Sequence, residues 1–395
     1  MKGSYSVRLV MGVFCLLLLT NSDARIKLIT LPVREHIEIQ LQNEHITIIE
    51  EERIVPLKQG INDIDFSWHN SSIRPETIVF RVLADEQSPR TNILSVSYPP
   101  NESALTWQLS ASKNGSARVR ISYEIERLDK EYHYVAYVDA DEQLMQLRQY
   151  IKVNNQSGEA FTEAYMNTGM EQAVLLPLDI NETQEFLNQS YAAVNIEKTY
   201  TVNAAQLGYR NRAQDKLNVY MYYRLHNDTH HKLGKQVLAP GKFRIYQQDN
   251  QGSSVFIGED RAKFTAKNDE LSLFIGEARD IVVKRIIERK KHQKINGNLY
   301  NIDVLVKYEI ENFKEKAVNL IIEESLPYLR NEVFSSRNSL LEWQIGEQTN
   351  FRSKPLKKRT HSEKIAYRVH LPAKTDKQKV MKLERKLNIN FKNEW

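Results

Sequence analysis

The stretch Ile302-Asp303-Val304-Leu305-Val306-Lys307-Tyr308-Glu309-Ile310 decides the fold class. Ile302, Val304, Val306, Tyr308 and Ile310 occupy every second position, with Asp303, Lys307 and Glu309 among the residues between them. Side chains on a strand point to opposite faces in turn, so this spacing buries one face and wets the other. The same alternation recurs in Val119, Ile121, Tyr123 and Ile125, in Leu217, Val219, Met221, Tyr223 and Leu225, and in Ile365, Tyr367, Val369 and Leu371. It is the pattern of antiparallel sheets covered on one side. Turn-forming clusters separate the runs: Pro56 to Gly60, Lys113-Asn114-Gly115, Asn250-Gln251-Gly252 and Ile295 to Asn298. The chain therefore reads as all-β, with two to three antiparallel β-sandwich modules in tandem and little helix. One short helix is expected over 181–194, where Asn181 or Thr183 would cap a segment containing Phe186, Leu187 and Tyr191.

With 395 residues, 41% of them apolar, the chain is long enough for two or three cored domains. A mean hydropathy of −0.54 excludes a polytopic membrane protein. Lys and Arg number 55 against 50 Asp and Glu, a balance that speaks against a dedicated nucleic-acid binder. At the amino end, Lys2 and Arg8 precede an apolar run from Leu9 to Leu19, and Ser22 and Ala24 supply small residues at −3 and −1. These are the parts of a secretory signal, and the run is shorter than the roughly 20 residues of a spanning helix. The expectation is an exported protein, periplasmic, surface-bound or secreted, cleaved after Ala24, with a retained anchor as the weaker reading. The one cysteine, Cys15, would leave with the signal, and disulfides, thiol catalysis and zinc–thiolate sites with it. The domain reading is a signal peptide over 1–24, an N-terminal β-domain over 25–127 and a large β-region over 128–395. A subdomain seam is placed near 195–215.

The order of segments carries a resemblance. Ile48 to Asn62, with Glu52-Arg53, Leu57 and Gly60-Ile61-Asn62, is followed by Ile73-Arg74-Pro75-Glu76-Thr77-Ile78. This resembles the opening of the secreted bacterial mucoidy-inhibitor-A-like proteins. Tyr150 to Glu159, Pro240 to Tyr246, Phe256 to Arg261 and Leu271 to Ile281 look like that family's large domain, a domain of unknown function numbered 4139. The long coiled coil that many members carry after the first β-domain is not visible here, and Tyr132-His133-Tyr134 stand where a tryptophan is often found. The resemblance implies an all-β exported or membrane-associated protein and carries no catalytic residues. On local grounds, Gly241 suits a turn into a strand, and Gly258 and Gly276 suit a positive φ or a bulge.

Catalytic and cofactor motifs are scarce. Ser110-Ala111-Ser112-Lys113 matches the S-x-x-K element, but Gly115 follows at once in a strand–turn–strand setting rather than the helix that chemistry needs. Phosphate-cradling and dinucleotide-binding glycine motifs are absent, so no cofactor is expected. Paired carboxylates (Asp139, Asp141 and Glu142; Glu311 and Glu315) say little without a separation in space. His226, His230 and His231 bracket Asn227-Asp228-Thr229; a solvated loop is the plain reading, and that loop with Asp228 is where a metal would bind if one did.

Two basic stretches invite surface contact. Lys284, Arg285, Arg289, Lys290, Lys291, His292 and Lys294 read as a hairpin tip, either merely solvated or touching anionic lipid heads or acidic polysaccharide. Arg352 to Lys364 invites the same two readings. Tyr220 and Tyr222 lie on the nominal polar face of their strand, where aromatics stack on a sugar or partner or are covered by a second sheet. The functional expectation is an envelope or surface protein acting by protein or polysaccharide contact, without nucleic acid, with peripheral membrane contact allowed. A hydrolase whose site assembles from distant loops is the second reading. A carbohydrate-binding module, which requires a coplanar exposed tyrosine platform, is the third.

Overall fold

The computed structural model describes residues 27–43, 45–83, 85–169, 173–204, 216–249, 251–334, 338–375 and 379–395. The expected signal segment, Cys15, and the 205–215 part of the expected seam lie outside them. The fold is all-β, 62% strand and 3% helix, with several mostly antiparallel sheets and no closed barrel. Among the described residues no helix is long and apolar enough to cross a membrane.

The chain packs as two compact units, Met1–Asp129 with Asn154–Thr183, and Lys130–Val153 with Gln184–Trp395. The segment Asn154–Thr183, which the sequence reading places in the large region, thus packs with the first unit. The reason is a strand pairing: Phe161–Asn167 lies parallel to His36–Gln40, with Tyr165 opposite Glu38. Periodicity reports which face a residue occupies, not which distant strand it will pair with.

In the first unit, Ile48–Leu57 sits between His36–Gln40 and Gly115–Glu124 in a six-stranded sheet. A four-stranded sheet is built around Gly60–Ser67 and Ala104–Ala111. Ring contacts join the two: Phe66 lies 5.9 Å from Tyr123, and Trp107 lies 4.5 Å from Phe80. All four side chains are buried, so the alternation of both sheets converges on one aromatic core.

In the second unit, Leu299–Asn312 buries Ile302, Val304, Val306, Tyr308 and Ile310 as its spacing demands. It is flanked by Ile281–Asn296 and Met381–Glu394. This sheet shares a core with the sheet of Glu197–Asn203, Val318–Ser325 and Lys364–Leu371, capped by the helix Leu326–Val333. A second core joins Leu128–Val138, Leu144–Asn155 and Gly241–Gln248 to Tyr220–His226 and Glu270–Glu277. Met221 packs against both cores. Parallel pairs occur among the antiparallel ones, for instance Tyr200 opposite Leu320 and Phe243 opposite Tyr134.

The helix expected over 181–194 is instead the strand Thr183–Asn195. Phe186, Gln189, Tyr191 and Val194 are its buried residues, a period of two interrupted by two slips. Asn181 does adopt positive φ, but in a turn that opens a strand rather than at a helix start. Gly276 has a φ of 128°, and the ladders slip one residue at Ile275 and at Ile257, next to Gly276 and Gly258, so each glycine marks a bulge as expected.

Three buried asparagines close loops. Asn155 donates to the carbonyls of Glu159, Leu178 and Asp179, and Asn312 to those of Lys316 and Pro372. Asn227 bonds Gln236, Thr265 and Ala266 and accepts from the Gly234 amide. Gly241 begins its strand so close to the neighbouring chain that a methyl added there overlaps the Tyr132 carbonyl. Gly241→Ala must therefore push apart the parallel pair it belongs to. The expected cost is about 1–3 kcal/mol, read as a fall in the urea midpoint; an unchanged midpoint would show that the pair yields freely.

Candidate functional site

The basic run does not form one exposed tip. It belongs to the strand Ile281–Asn296, and the turn lies beyond it at Gly297 and Asn298. Lys284 is half-buried, opposite Lys216 on one side and Glu309 on the other. Arg285 corrects the sequence expectation: its side chain is 2% exposed and clamps Glu324, which is fully buried. A single inward position in an alternating strand explains this, because 285 falls on the face that 281 and 283 bury. Arg289 is tied to Asp303 at 2.6 Å and to Gln348 at 2.6 Å. Lys290, Lys291 and Lys294 are exposed and form no ion pair among the described residues. They stand where the outer edge of this strand has no strand partner past Lys284 among the described residues. Charged side chains along an open edge discourage pairing with another chain, so these lysines guard the sheet as well as face solvent.

Tyr220 and Tyr222 are half-buried and lean on Phe274 at 5.8 and 5.7 Å, with ring planes inclined by 58° and 59°. Burial, and next Asp260, raises the Tyr222 hydroxyl pKa. Each ring therefore has an aromatic neighbour on the paired strand Glu270–Glu277 of its own sheet.

The second basic stretch leads to a more defined site. Arg352 and Ser353 meet Arg368 and His370 of the strand Lys364–Leu371 and Arg385 of the strand Met381–Glu394 around a cavity of about 470 Å³. Alternation places Arg368 and His370 on one face, and the pairing partners of that strand put Asn319 opposite His370. None of the lining residues is acidic. Arg368 reaches Glu197 at 3.2 Å, but neither Arg352 nor Arg385 has an acidic partner among the described residues. Arg385 gives one bond, to the Glu384 carbonyl. Its guanidinium pKa is lowered, first by burial and then by the charge of Arg352. Two cations held together without a counter-charge are stabilised by any anion that enters between them. The sequence reading named Arg352 but missed Arg368 and Arg385, which lie outside the basic run.

The carboxylates singled out in sequence are committed elsewhere. Glu142 holds Lys198 at 2.6 Å and accepts from the Tyr223 hydroxyl at 2.6 Å. Burial, then Glu142, pushes the Tyr223 pKa up. In the first unit a cavity of about 690 Å³ is lined by Arg34, His36, Arg53 and Glu163. The carboxylate beneath it, Glu51, is bound by both arginines. Ser110 sits on the strand Ala104–Ala111, with its hydroxyl facing the Asn92 carbonyl, far from the helical turn an S-x-x-K pair requires. Glu259 and Arg261 pair with Lys242 and Glu131, and Asp260 accepts the Phe274 amide, all three serving the strand ends.

His226, Asp228, His230 and His231 are brought together. The Asp228 carboxylate lies 2.7 Å from His231 Nδ1, and the rings of His230 and His226 lie 5.0 and 4.9 Å from that of His231. No protein-family model matches the chain, and no curated protein matches it.

Proposed function

We propose that the chain is a non-catalytic, exported contact protein that binds an acidic polysaccharide, with Arg352, Arg368, Arg385 and His370 as the binding groups. The observation that carries this reading is the arginine-lined cavity, in which Arg352 and Arg385 both line the wall and neither pairs with an acid among the described residues. A carboxylated sugar chain offers evenly spaced planar anions, and guanidinium groups recognise such groups in bidentate fashion. The exposed Lys290, Lys291 and Lys294 add a positive field that attracts the same ligand class. Export and membership of the mucoidy-inhibitor-A-like group belong to the same proposal. The composition of residues 1–24 supports the first, and the ordered segments at 48–62, 150–159, 240–246 and 271–281 support the second.

Calorimetric titration with polygalacturonate oligomers tests the binding. Saturable heat is expected, shrinking as salt approaches physiological strength, where the screening length is about 8 Å. Neutral dextran should give none. Arg352→Gln with Arg385→Gln should weaken binding about tenfold or more, the scale of losing charge-assisted hydrogen bonds. Equal binding of dextran, or an unchanged affinity in the double variant, would overturn the reading.

A further inference from the structure

A cluster of imidazole and carboxylate groups lies on the loop that follows the strand Tyr220–His226, among residues that the proposed polysaccharide site does not use. Ligand atoms of Asp228, His230 and His231 all fall within 4.8 Å of one another. We propose that this loop is a binding site for a divalent transition-metal ion of the zinc class, with Asp228, His230 and His231 as its protein ligands.

The ligand chemistry fits. Two imidazoles and one carboxylate suit zinc and its neighbours, not the hard, all-oxygen cages of calcium or magnesium. The spacing fits as well. Ligands bound at about 2.0–2.1 Å and at the tetrahedral angle lie about 3.3 Å apart. The Asp228 carboxylate and His231 Nδ1 are 2.7 Å apart, a hydrogen-bonded contact that only a small opening turns into a ligand pair. His230 is exposed and His231 and Asp228 are partly so, leaving an open approach and free coordination positions for water.

A metal site also needs ligands held in place before the ion arrives, and here the loop is built around a buried anchor. Asn227 has no exposed surface. Its amide group bonds three carbonyls of the surrounding chain and its oxygen takes the Gly234 amide, so both ends of the 227–234 turn are pinned. Gly234, at φ +82°, packs against the Asp228 backbone where any Cβ would overlap it. Asp228 further accepts the His231 amide at 2.8 Å, fixing the carboxylate toward the imidazole. Behind the cluster, the His226 ring lies 4.9 Å from that of His231, tilted by 41°, and its Nε2 lies 3.7 Å from Glu270. The local spacing H-N-D-T-H-H puts the histidines and Asp228 on six residues of chain, which is why the loop is visible in sequence.

The test uses the full chain carrying no polyhistidine tag. Titration with ZnSO4 against a chromophoric chelator is expected to show one saturable site. His230→Ala and His231→Ala should each weaken it about tenfold or more, the loss typical when a metal site loses a supporting group. His45→Ala, a histidine of the first unit, should leave it unchanged. Co2+ in place of Zn2+ should give visible d–d absorption that vanishes in His230→Ala/His231→Ala, while far-ultraviolet circular dichroism shows that variant still folded. The proposal is overturned if no saturable site is found, or if the folded double variant binds as the parent does.

Discussion

Glu324→Ala is expected to destabilise the second unit by about 3–5 kcal/mol, the scale of removing one partner from a buried ion pair. Arg285 reaches Glu324 through two guanidinium nitrogens, both at 3.0 Å, and Glu332 through the third at 2.9 Å. The Tyr308 hydroxyl donates to the same Glu324 carboxylate. Burial works to lower the Arg285 pKa, yet Glu324, first among the opposing causes, and Glu332 outweigh it and the net shift is upward. Tyr308 is pushed up, first by burial and then by Glu324, so it stays a proton donor. Without Glu324, a guanidinium 2% exposed keeps only Glu332, itself one-third exposed. Glu332→Ala removes a partner that water can replace, and its cost should stay below about 1 kcal/mol. Arg285→Met combined with Glu324→Leu should recover most of the loss, because apolar groups of similar volume avoid the desolvation of both charges. Urea unfolding monitored by circular dichroism reads all three, and a Glu324→Ala midpoint close to the parent's would refute the argument.

That pair also marks how far the sequence could be read. Period-two spacing at Ile302 to Ile310 names the buried face because burial on a strand is local: each residue's face follows from its neighbour's. Arg285 sits in a basic run and looks solvated, yet its partner Glu324 comes from a strand 39 residues on, a pairing no local pattern encodes. Thr183–Asn195 reads locally as a helix yet forms a strand for a related reason. Asn181 and Thr183 are good caps, but a long neighbouring strand decided the matter, as tertiary context overrides weak local preference. The Asp228–His231 cluster was legible because a loop keeps its members within a few residues. The arginine cavity was half legible: Arg352 stands in a visible basic run, whereas Arg368 and Arg385 lie on strands of two different sheets, and only the packing of those sheets brings them to Arg352.

The first unit carries a comparable buried charge with a different consequence. Glu51, on the strand Ile48–Leu57, has no exposed side-chain surface and holds Arg34 at 2.5 Å and Arg53 at 2.9 Å. Arg34 continues to Glu159 at 2.6 Å and to the Ala160 carbonyl, so it ties the returning segment 154–183 to the sheet it joins. Burial lowers the Arg34 pKa, but Glu51 and Glu159 more than reverse this, which shows how strongly the cation depends on both acids. Glu51→Ala leaves two arginines, 21% and 12% exposed, facing each other with one acid, Glu159, on Arg34 alone. A loss of about 3–5 kcal/mol is expected here too, and because Arg34 is freed to turn toward solvent, the damage should spread along its other contact. Amide hydrogen exchange should therefore quicken not only in Ile48–Leu57 but also in Phe161–Asn167, whose pairing with His36–Gln40 Arg34 flanks. Glu159→Ala removes the far end of the same chain of charges and should quicken exchange in Phe161–Asn167 while leaving Ile48–Leu57 protected. If Glu51→Ala loosened its own strand and left Phe161–Asn167 as protected as before, the charge would be a local fastening and Arg34 would not be the link that brings residues 154–183 back to the first unit.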